Sequence, residues 1–229
     1  MVLRALLTGG TGTLGAELKK LSGDDIQFYS PSSSECNILN QEQIENCFKQ
    51  RDFDLVVHCA AATNVTEIEK NPLNALETNV VGTINLLREC ARHNKKMVFI
   101  STDYVFDGEK GSYSIHDPIN PLSKYAKTKA SAELAVRTYD NSLVIRTSFY
   151  GHDFPYEKAF VDQWTSKDYV DVIAPKVLNV IKSDKVGIVH IGSPRRSVYE
   201  IALERREEVE PIRLKDTEFK IPRDVSLLP

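Results

Sequence analysis

The fold is decided near the start of the chain, where residues 3–15 have the sequence LRALLTGGTGTLG. An apolar run predicts a short buried strand there, and leucines at helical spacing follow from Leu14 onward. Three regularly spaced glycines, Gly9, Gly12 and Gly15, therefore lie between a predicted strand and a predicted helix. Glycine allows the backbone to turn tightly and to approach a pyrophosphate, and the helix N-terminus offers free N–H groups to that anion. This arrangement predicts a site for a dinucleotide cofactor.

Strands and helices alternate along the rest of the chain. Apolar runs predict further strands at 26–29, 54–63, 98–100, 143–146 and 187–191. Helical spacing predicts helices at 43–48, 72–93, 123–139 and 170–181, and a charged, exposed helix at 198–208. Residues 151–166 show no clear period, and we interpret 212–229 as extended chain with a docking role. The alternation predicts an α/β fold with a Rossmann-like, doubly wound parallel sheet.

The composition excludes several classes of protein. Of the 229 residues, 41% are hydrophobic and 27% are charged, which suits one globular domain or one domain with a small appendage. The net charge of −3 favours no nucleic-acid partner, and no apolar run approaches the about 20 residues that a membrane helix needs. The first residues are too few for a signal peptide before the glycines begin. We therefore expect no membrane association.

Cysteine and histidine usage points to a protein without a metal. The four cysteines are scattered with no Cys-x-x-Cys pair, which favours reduced thiols and a cytoplasmic location. The five histidines have no metal-ligand spacing, so no metal is predicted. His58 and His190 lie inside apolar runs, and we interpret both as strand residues with satisfied hydrogen bonds.

The stretch from Val98 to Lys129 carries candidate chemistry. Its strand stops abruptly in hydroxyls and carboxylates, and Tyr125 and Lys129 are four residues apart, so they share one face of a helix. A free tyrosine has a pKa of about 10, and a neighbouring lysine cation lowers it. A strand-end hydroxyl, a phenol and a lysine are the groups needed to protonate or deprotonate an alcohol oxygen. The alternative is that Tyr-x-x-x-Lys occurs on this helix by chance.

Three other positions bear on the cofactor. The second strand ends in serines from Ser30 without the acidic residue that usually holds an NAD ribose, which favours NADPH over NADH; a surface turn is the alternative. Residues 60–63 are small and allow a flat cofactor to lie against the backbone, or they simply pack tightly. Asn79 lies in the middle of a predicted helix, where it faces solvent or has a polar role near the site.

These residues resemble the extended short-chain dehydrogenase/reductases, through the three glycines, the alanine-rich strand end, Asn79 and Tyr125-x-x-x-Lys129. More narrowly, the sequence STDYVFDG at 101–108 resembles the signature of the dTDP-4-dehydrorhamnose reductases. The same likeness extends in family order to Ala60-Ala61-Ala62-Thr63, Pro121-x-x-x-Tyr125, Arg146-Thr147-Ser148, Asp162-Gln163 and Gly187-Ile188-Val189-His190.

The resemblance implies an NADPH-dependent oxidoreductase that reduces the C4 keto group of a nucleotide-linked 4-keto-6-deoxy sugar, dTDP- or UDP-4-dehydrorhamnose, to the L-rhamnose nucleotide. NADH is the alternative cofactor. By this likeness Tyr125 donates the proton, Lys129 binds the nicotinamide ribose and lowers the pKa of Tyr125, and Thr102 hydrogen-bonds the reacting oxygen. Asp103 and Tyr104 face the sugar, and Phe149 gives an aromatic wall.

The same likeness assigns the cofactor contacts. Besides Tyr125 and Lys129, they are Gly9, Gly10, Thr11, Gly12, Thr13, Leu14, Ser30, Asn37, Ile38, Ala60, Ala61, Ala62, Thr63 and Asn79. The family usually has aspartate at Asn37 and tryptophan at Phe149.

The largest departure from the family is length, because the chain is several tens of residues short around 151–162 and elsewhere. We therefore assign 1–150 to an NAD(P)-binding Rossmann domain and 151–229 to a small, reduced substrate-binding part interleaved with it. Two alternatives stay open. One is an epimerase/reductase acting on another nucleotide sugar, and the other is a non-catalytic, NADP-binding regulatory subunit of a partner enzyme. A homodimer is the expected assembly if the chain self-associates.

Overall fold

The computed structural model describes residues 2–217 and 221–229. Its strands are β1 (Leu3–Thr8), β2 (Ile26–Tyr29), β3 (Leu55–His58), β4 (Lys96–Ser101), β5 (Ser142–Arg146), β6 (Phe149–Tyr150), β7 (Lys158–Phe160), β8 (Trp164–Thr165), β9 (Asp168–Tyr169), β10 (Gly187–His190), β11 (Arg196–Ser197) and β12 (Glu210–Ile212). Its α-helices are α1 (Thr13–Lys20), α2 (Gln41–Gln50), α3 (Val65–Lys70), α4 (Leu73–Ala75), α5 (Thr83–Arg92), α6 (Lys124–Val136), α7 (Val170–Ile181) and α8 (Val198–Leu203).

A six-stranded parallel sheet forms the centre, in the order β10-β5-β4-β3-β1-β2. Successive side chains point to opposite faces, so Leu7 and Val57 join the core beneath α1 and α7. Leu6 and Phe99 join the core formed with α2, α5 and α6 on the other face. Helices therefore cover both faces, and the predicted doubly wound α/β fold is confirmed. The strand order reverses between β1 and β3, and such folds bind ligands at the carboxyl ends of strands at this point.

The helix predicted at 72–93 is three consecutive segments, because a π-helical stretch at Leu76–Gly82 separates α4 from α5. Pro72 is the N-cap of α4. Helix α3 was not predicted, since it has six residues and only Ile68 is buried, which gives no period. None of the helices in the described ranges is long and apolar enough to cross a membrane.

The C-terminal residues pack around a smaller core that contains Phe154, Tyr169 and Ile201. Helix α8 ends at Leu203, five residues before the predicted end, and it buries Ile201 on its inner side, so the prediction of an exposed helix to 208 was wrong. The described part of the tail docks as predicted: Leu227 pairs with Tyr113 through an isolated bridge. Residues 218–220 of the predicted tail lie outside the described residues.

Both strand histidines have hydrogen bonds, as predicted. The ring of His58 lies between the hydroxyls of Thr8, 2.7 Å from Nδ1, and Thr83, 2.9 Å from Nε2. His190 Nδ1 donates to the Leu228 carbonyl at 3.0 Å. Burial lowers the pKa of His58 to about 3, so this ring is neutral and structural.

Candidate active site

The glycine loop between β1 and α1 is shaped by close backbone contacts. Gly9 has a φ of +73°, and a Cβ there would lie 2.5 Å from the Ala60 backbone nitrogen. A Cβ on Gly15 would lie 2.3 Å from the Gly9 carbonyl oxygen. These two glycines allow the loop to pack against the residues that follow β3 and against its own helix.

Gly12 has a different function from its neighbours. Its backbone is extended at the N-cap of α1, where no side chain caps the helix, and an added Cβ would meet only the Gly9 carbonyl oxygen at 3.3 Å. The absence of a side chain at Gly12 and the uncapped N–H groups suit a phosphate anion. The loop therefore fits the pyrophosphate of a dinucleotide.

Ser30 lies directly beside this loop, because a Cβ on Gly10 would lie 1.8 Å from the serine Oγ. Asn37 and Ile38 are placed less directly. The Asn37 side chain accepts a hydrogen bond from the Leu39 backbone N–H at 2.9 Å, and Ile38 is buried.

Asn79 lies behind the site and organises it. The Ala62 N–H donates to Asn79 Oδ1 at 2.7 Å, and Asn79 Nδ2 donates to the Ala62 carbonyl and to Thr128 Oγ1, both at 3.0 Å. The amide thus joins the turn after β3 to helix α6. Asn79 is buried and its amide bonds to other protein groups, so it does not face solvent. Of the two alternatives for this mid-helix asparagine, the polar role near the site is the one observed.

A cavity of about 490 Å³ runs from the glycine loop to the ends of β4 and β5. The predicted site residues on its wall are Gly9, Gly12, Thr13, Leu14, Ala61, Thr63, Thr102, Tyr104, Tyr125, Lys129 and Phe149. The predicted residues that the structure does not bring to this wall are Gly10, Thr11, Ser30, Asn37, Ile38, Ala60, Ala62, Asn79 and Asp103.

The phenol of Tyr125 is the acid candidate, and its pKa is raised to about 12. Burial is the main cause, and the Asp103 carboxylate adds to it, while Lys167 and a hydrogen bond with Thr102 act in the opposite direction. The predicted lowering of this pKa by Lys129 is therefore wrong for the protein without ligands. The physical reason is that burial outweighs the Lys167 cation, while the Lys129 ammonium is bonded to the Ile100 carbonyl.

Lys129 is directed at the backbone. Its Nζ donates to the Ile100 carbonyl at 2.7 Å and lies 4.1 Å from the centre of the Phe99 ring. Burial lowers its pKa to about 8, although Cys59 and Glu133 oppose that change. The ammonium is thus held at the cavity wall by one hydrogen bond and one aromatic face.

Asp103 is fully buried next to Thr102 and gathers hydroxyls from three parts of the chain. Its carboxylate accepts hydrogen bonds from Thr102 at 3.2 Å, from Thr165 at 3.4 Å and from Ser148. Burial raises its pKa, and the Lys167 cation acts most strongly against that rise. Asp103 therefore links the strand-end Thr102 to the C-terminal residues from behind the cavity wall.

A second cavity of about 790 Å³ adjoins the first and is mostly apolar and aromatic. Val65, Tyr104, Tyr156 and Lys167 line both cavities. Lys167 was not predicted as a site residue. It lies between the aperiodic stretch 151–166 and α7, and no sequence motif marks it.

The amino-acid sequence is similar to those of several known proteins. The chain is 33% identical over 182 residues to dTDP-4-dehydrorhamnose reductase of Aggregatibacter actinomycetemcomitans, which covers 76% of this chain and 61% of that protein. It is 33% identical over 225 residues to the spore coat polysaccharide biosynthesis protein SpsK of Bacillus subtilis, with 90% and 79% covered. The chain therefore spans about three fifths of the first relative and about four fifths of the second.

Solved structures are similar over nearly the whole chain. The dTDP-4-dehydrorhamnose reductase of Bacillus anthracis in complex with NADP has a TM-score of 0.90 at 24% identity, with 100% of this chain and 91% of that chain covered. The orthologue from Clostridium acetobutylicum has a TM-score of 0.89 at 27% identity, with 99% and 90% covered. A model of the family described as RmlD substrate binding domain matches residues 3–187, and the protein belongs to that family.

Proposed function

We propose that the protein is an NADPH-dependent reductase of a nucleotide-linked 4-keto-6-deoxy sugar. The observation that carries this proposal is the convergence of Thr102, Tyr125 and Lys129 on one cavity whose other end is the glycine loop. Relatives named dTDP-4-dehydrorhamnose reductase, at 33% identity, support the same chemistry. L-rhamnose nucleotide is the proposed product.

The glycine loop and the N-terminus of α1 would hold the cofactor pyrophosphate, with Ala61 and Thr63 along its flat face. When bound, NADPH supplies the hydride. Ser30 lies beside Gly10, so its hydroxyl would hydrogen-bond a 2′-phosphate that reached past the loop, which would favour NADPH over NADH.

Proton delivery falls to Tyr125, whose raised pKa keeps the phenol protonated at neutral pH. Its O–H donates to the C4 oxygen as negative charge develops there. Thr102, which donates to Asp103 at 3.2 Å in the protein without ligands, would turn its O–H to the same oxygen and act as a second donor. Lys129 lies on the same wall, where the nicotinamide ribose hydroxyls would replace its bond to Ile100.

The larger cavity provides room for the sugar nucleotide. Its volume of about 790 Å³ falls within the range usual for small-molecule sites. Residues after 151 form most of its lining, including Phe154, Phe160 and Pro222. We therefore retain the proposed division into a cofactor domain at 1–150 and a reduced substrate-binding part at 151–229, with the shortened part still enclosing a cavity.

A non-catalytic subunit is the second candidate. The chain is 33% identical over 141 residues to methionine adenosyltransferase 2 subunit beta of Rattus norvegicus. A reductase assay and a pull-down on one preparation separate the two functions. A stoichiometric partner without sugar-nucleotide turnover would favour the subunit.

The test of the reductase is NADPH consumption with dTDP- and UDP-linked 4-keto-6-deoxy sugars, including analysis of product stereochemistry for epimerisation. Tyr125→Phe removes the acid and should abolish turnover while the protein still binds NADPH. Tyr139→Phe is the matched control, since the Tyr139 hydroxyl bonds to the Lys95 carbonyl and lies away from both cavities. Full turnover by Tyr125→Phe would rule out the assigned acid.

A further inference from the structure

Lys167 lies where the two cavities meet. It lines both of them, together with Tyr104 and Tyr156. Its Nζ lies 4.6 Å from the centre of the Tyr150 ring and 5.4 Å from that of Tyr104. The faces of the two phenol rings attract the ammonium group and stabilise its positive charge.

The backbone at Lys167 is fixed by contacts on both sides. The Lys167 N–H donates to Thr165 Oγ1 at 3.0 Å, and that hydroxyl is also bonded to Asp103. Ser166 accepts hydrogen bonds from Ser193 N–H at 2.8 Å and, through Oγ, from Leu227 N–H at 3.0 Å. The backbone of Lys167 is therefore positioned by its own bond to Thr165 and by the contacts of the preceding Ser166 with another loop and with the C-terminal tail.

The charges around Lys167 agree with a protonated amine. Burial alone would lower its pKa, but Tyr104 and Tyr150 in their phenolate forms and the Asp103 carboxylate outweigh burial and raise it. Lys167 is also the strongest group that lowers the pKa of Tyr125. Lys129, by contrast, is bonded to the Ile100 carbonyl.

We propose that Lys167 supplies positive charge to the reaction centre and stabilises the phenolate that remains when Tyr125 gives its proton to the reacting oxygen. In that step the Tyr125 O–H bond breaks, an O–H bond forms on the substrate oxygen, and the negative charge stays on the phenol. Lys167 keeps its own proton throughout, so it acts as an electrostatic positioning residue. This inference rests on the proposed reductase function.

Lys167→Met removes the charge and Lys167→Arg keeps it. We expect kcat for the keto sugar to fall at least about tenfold in Lys167→Met, the change that corresponds to one unit in the pKa of the acid, with NADPH affinity retained. Lys167→Arg should recover most of kcat. Lys182→Met is the control, since its ammonium pairs with the exposed Asp25 outside both cavities.

A second measurement does not depend on turnover. The alkaline titration of Tyr125 is followed by phenolate absorbance in the NADP⁺ complex, as the difference between each protein and its Tyr125→Phe counterpart. Loss of the cation should move the midpoint upward by about one pH unit in Lys167→Met and leave it unchanged in Lys182→Met. A midpoint equal to that of the wild type would overturn the inference. If the wild type reduces none of the sugars, the proposed function fails and this titration alone decides the role of Lys167.

Discussion

The side chain of Asn79 forms a two-way hydrogen-bonded pair with the backbone of Ala62, accepting from its N–H at 2.7 Å and donating to its carbonyl at 3.0 Å. The N–H and the carbonyl of Ala62, in the turn after β3, thus have their hydrogen-bond partners on a residue of the π-helical segment. The same amide reaches Thr128 on the helix that carries Tyr125. One buried side chain thus sets the distance between two walls of the cavity.

Asn79→Ala should destabilise the protein, because it leaves buried backbone and hydroxyl groups without partners. We expect a loss of about 2–4 kcal/mol in the free energy of unfolding, measured by urea denaturation. Asn74→Ala, on the exposed side of α4, should leave that free energy nearly unchanged. Equal effects of the two substitutions would contradict the role assigned to Asn79.

Two substitutions in the glycine loop should have separate effects, one on NADPH binding and the other on the stability of the fold. Gly12→Ala adds a Cβ that meets one atom, the Gly9 carbonyl oxygen at 3.3 Å, so a shift of a few tenths of an ångström should let the fold persist, while NADPH affinity falls by at least about tenfold through obstruction of the pyrophosphate. Gly15→Ala places its Cβ against the backbone of Gly9 and Gly10, which should cost about 1–3 kcal/mol of stability. Calorimetric titration with NADPH and thermal unfolding report the two effects.

Gly23→Ala serves as control, since the nearest atom to its Cβ is a flexible Asp25 oxygen at 3.8 Å. Unimpaired NADPH binding by Gly12→Ala would contradict the assignment of this loop to the cofactor.

The sheet could be predicted from sequence because its strands are buried apolar runs, as in β1, and the glycine loop lies directly between a strand and a helix. These signals are local. The strands β6 to β9 have two or three residues each, so no period marks them, and their pairing depends on contacts from distant parts of the chain.

The candidate site shows the same division between local features, which the sequence predicts, and long-range contacts, which it does not. Tyr125 and Lys129 share a helix face, so their spacing alone brought them together. The Thr165 hydroxyl bonds to Asp103, which is 62 positions away in the sequence, and the position of Lys167 at the cavity depends on that contact. Local spacing therefore could not predict the location of either residue. The sign of the Tyr125 pKa shift was also beyond the sequence, because it depends on how deeply the phenol is buried.

Lys129 should give stability a measurable pH dependence. The pKa of Lys129 is about 8 in the folded protein, against 10.5 for a lysine in the unfolded chain. At pH values between these two, the unfolded chain holds the proton and the folded protein does not. Stability therefore rises with pH across that window, by roughly 3 kcal/mol in total, as the cost of burying the ammonium disappears. Urea unfolding of the wild type minus that of Lys129→Met, at several pH values, isolates this contribution. A flat difference would contradict the burial of a charged amine.

Beneath the site, Arg146 and Glu133 form an ion pair in which both side chains are at most 1% exposed. Arg146 Nη2 donates to Glu133 Oε1 at 2.6 Å, Nε donates to the same carboxylate, and Ser101 Oγ donates to it at 2.7 Å. Burial of two charges is costly, so the pair is stable only while both members are present.

Arg146→Met should therefore destabilise the protein by about 3–5 kcal/mol, since it removes the buried partner of the Glu133 carboxylate and leaves it with the exposed Arg137 guanidinium at 3.9 Å. The double variant Arg146→Met/Glu133→Leu should recover much of that loss, because it removes the second charge as well. Lys182→Met breaks the exposed pair with Asp25, and no measurable change is expected there. Urea denaturation of the four proteins tests this, and a double variant no more stable than Arg146→Met would show that packing, and not the orphaned charge, accounts for the loss.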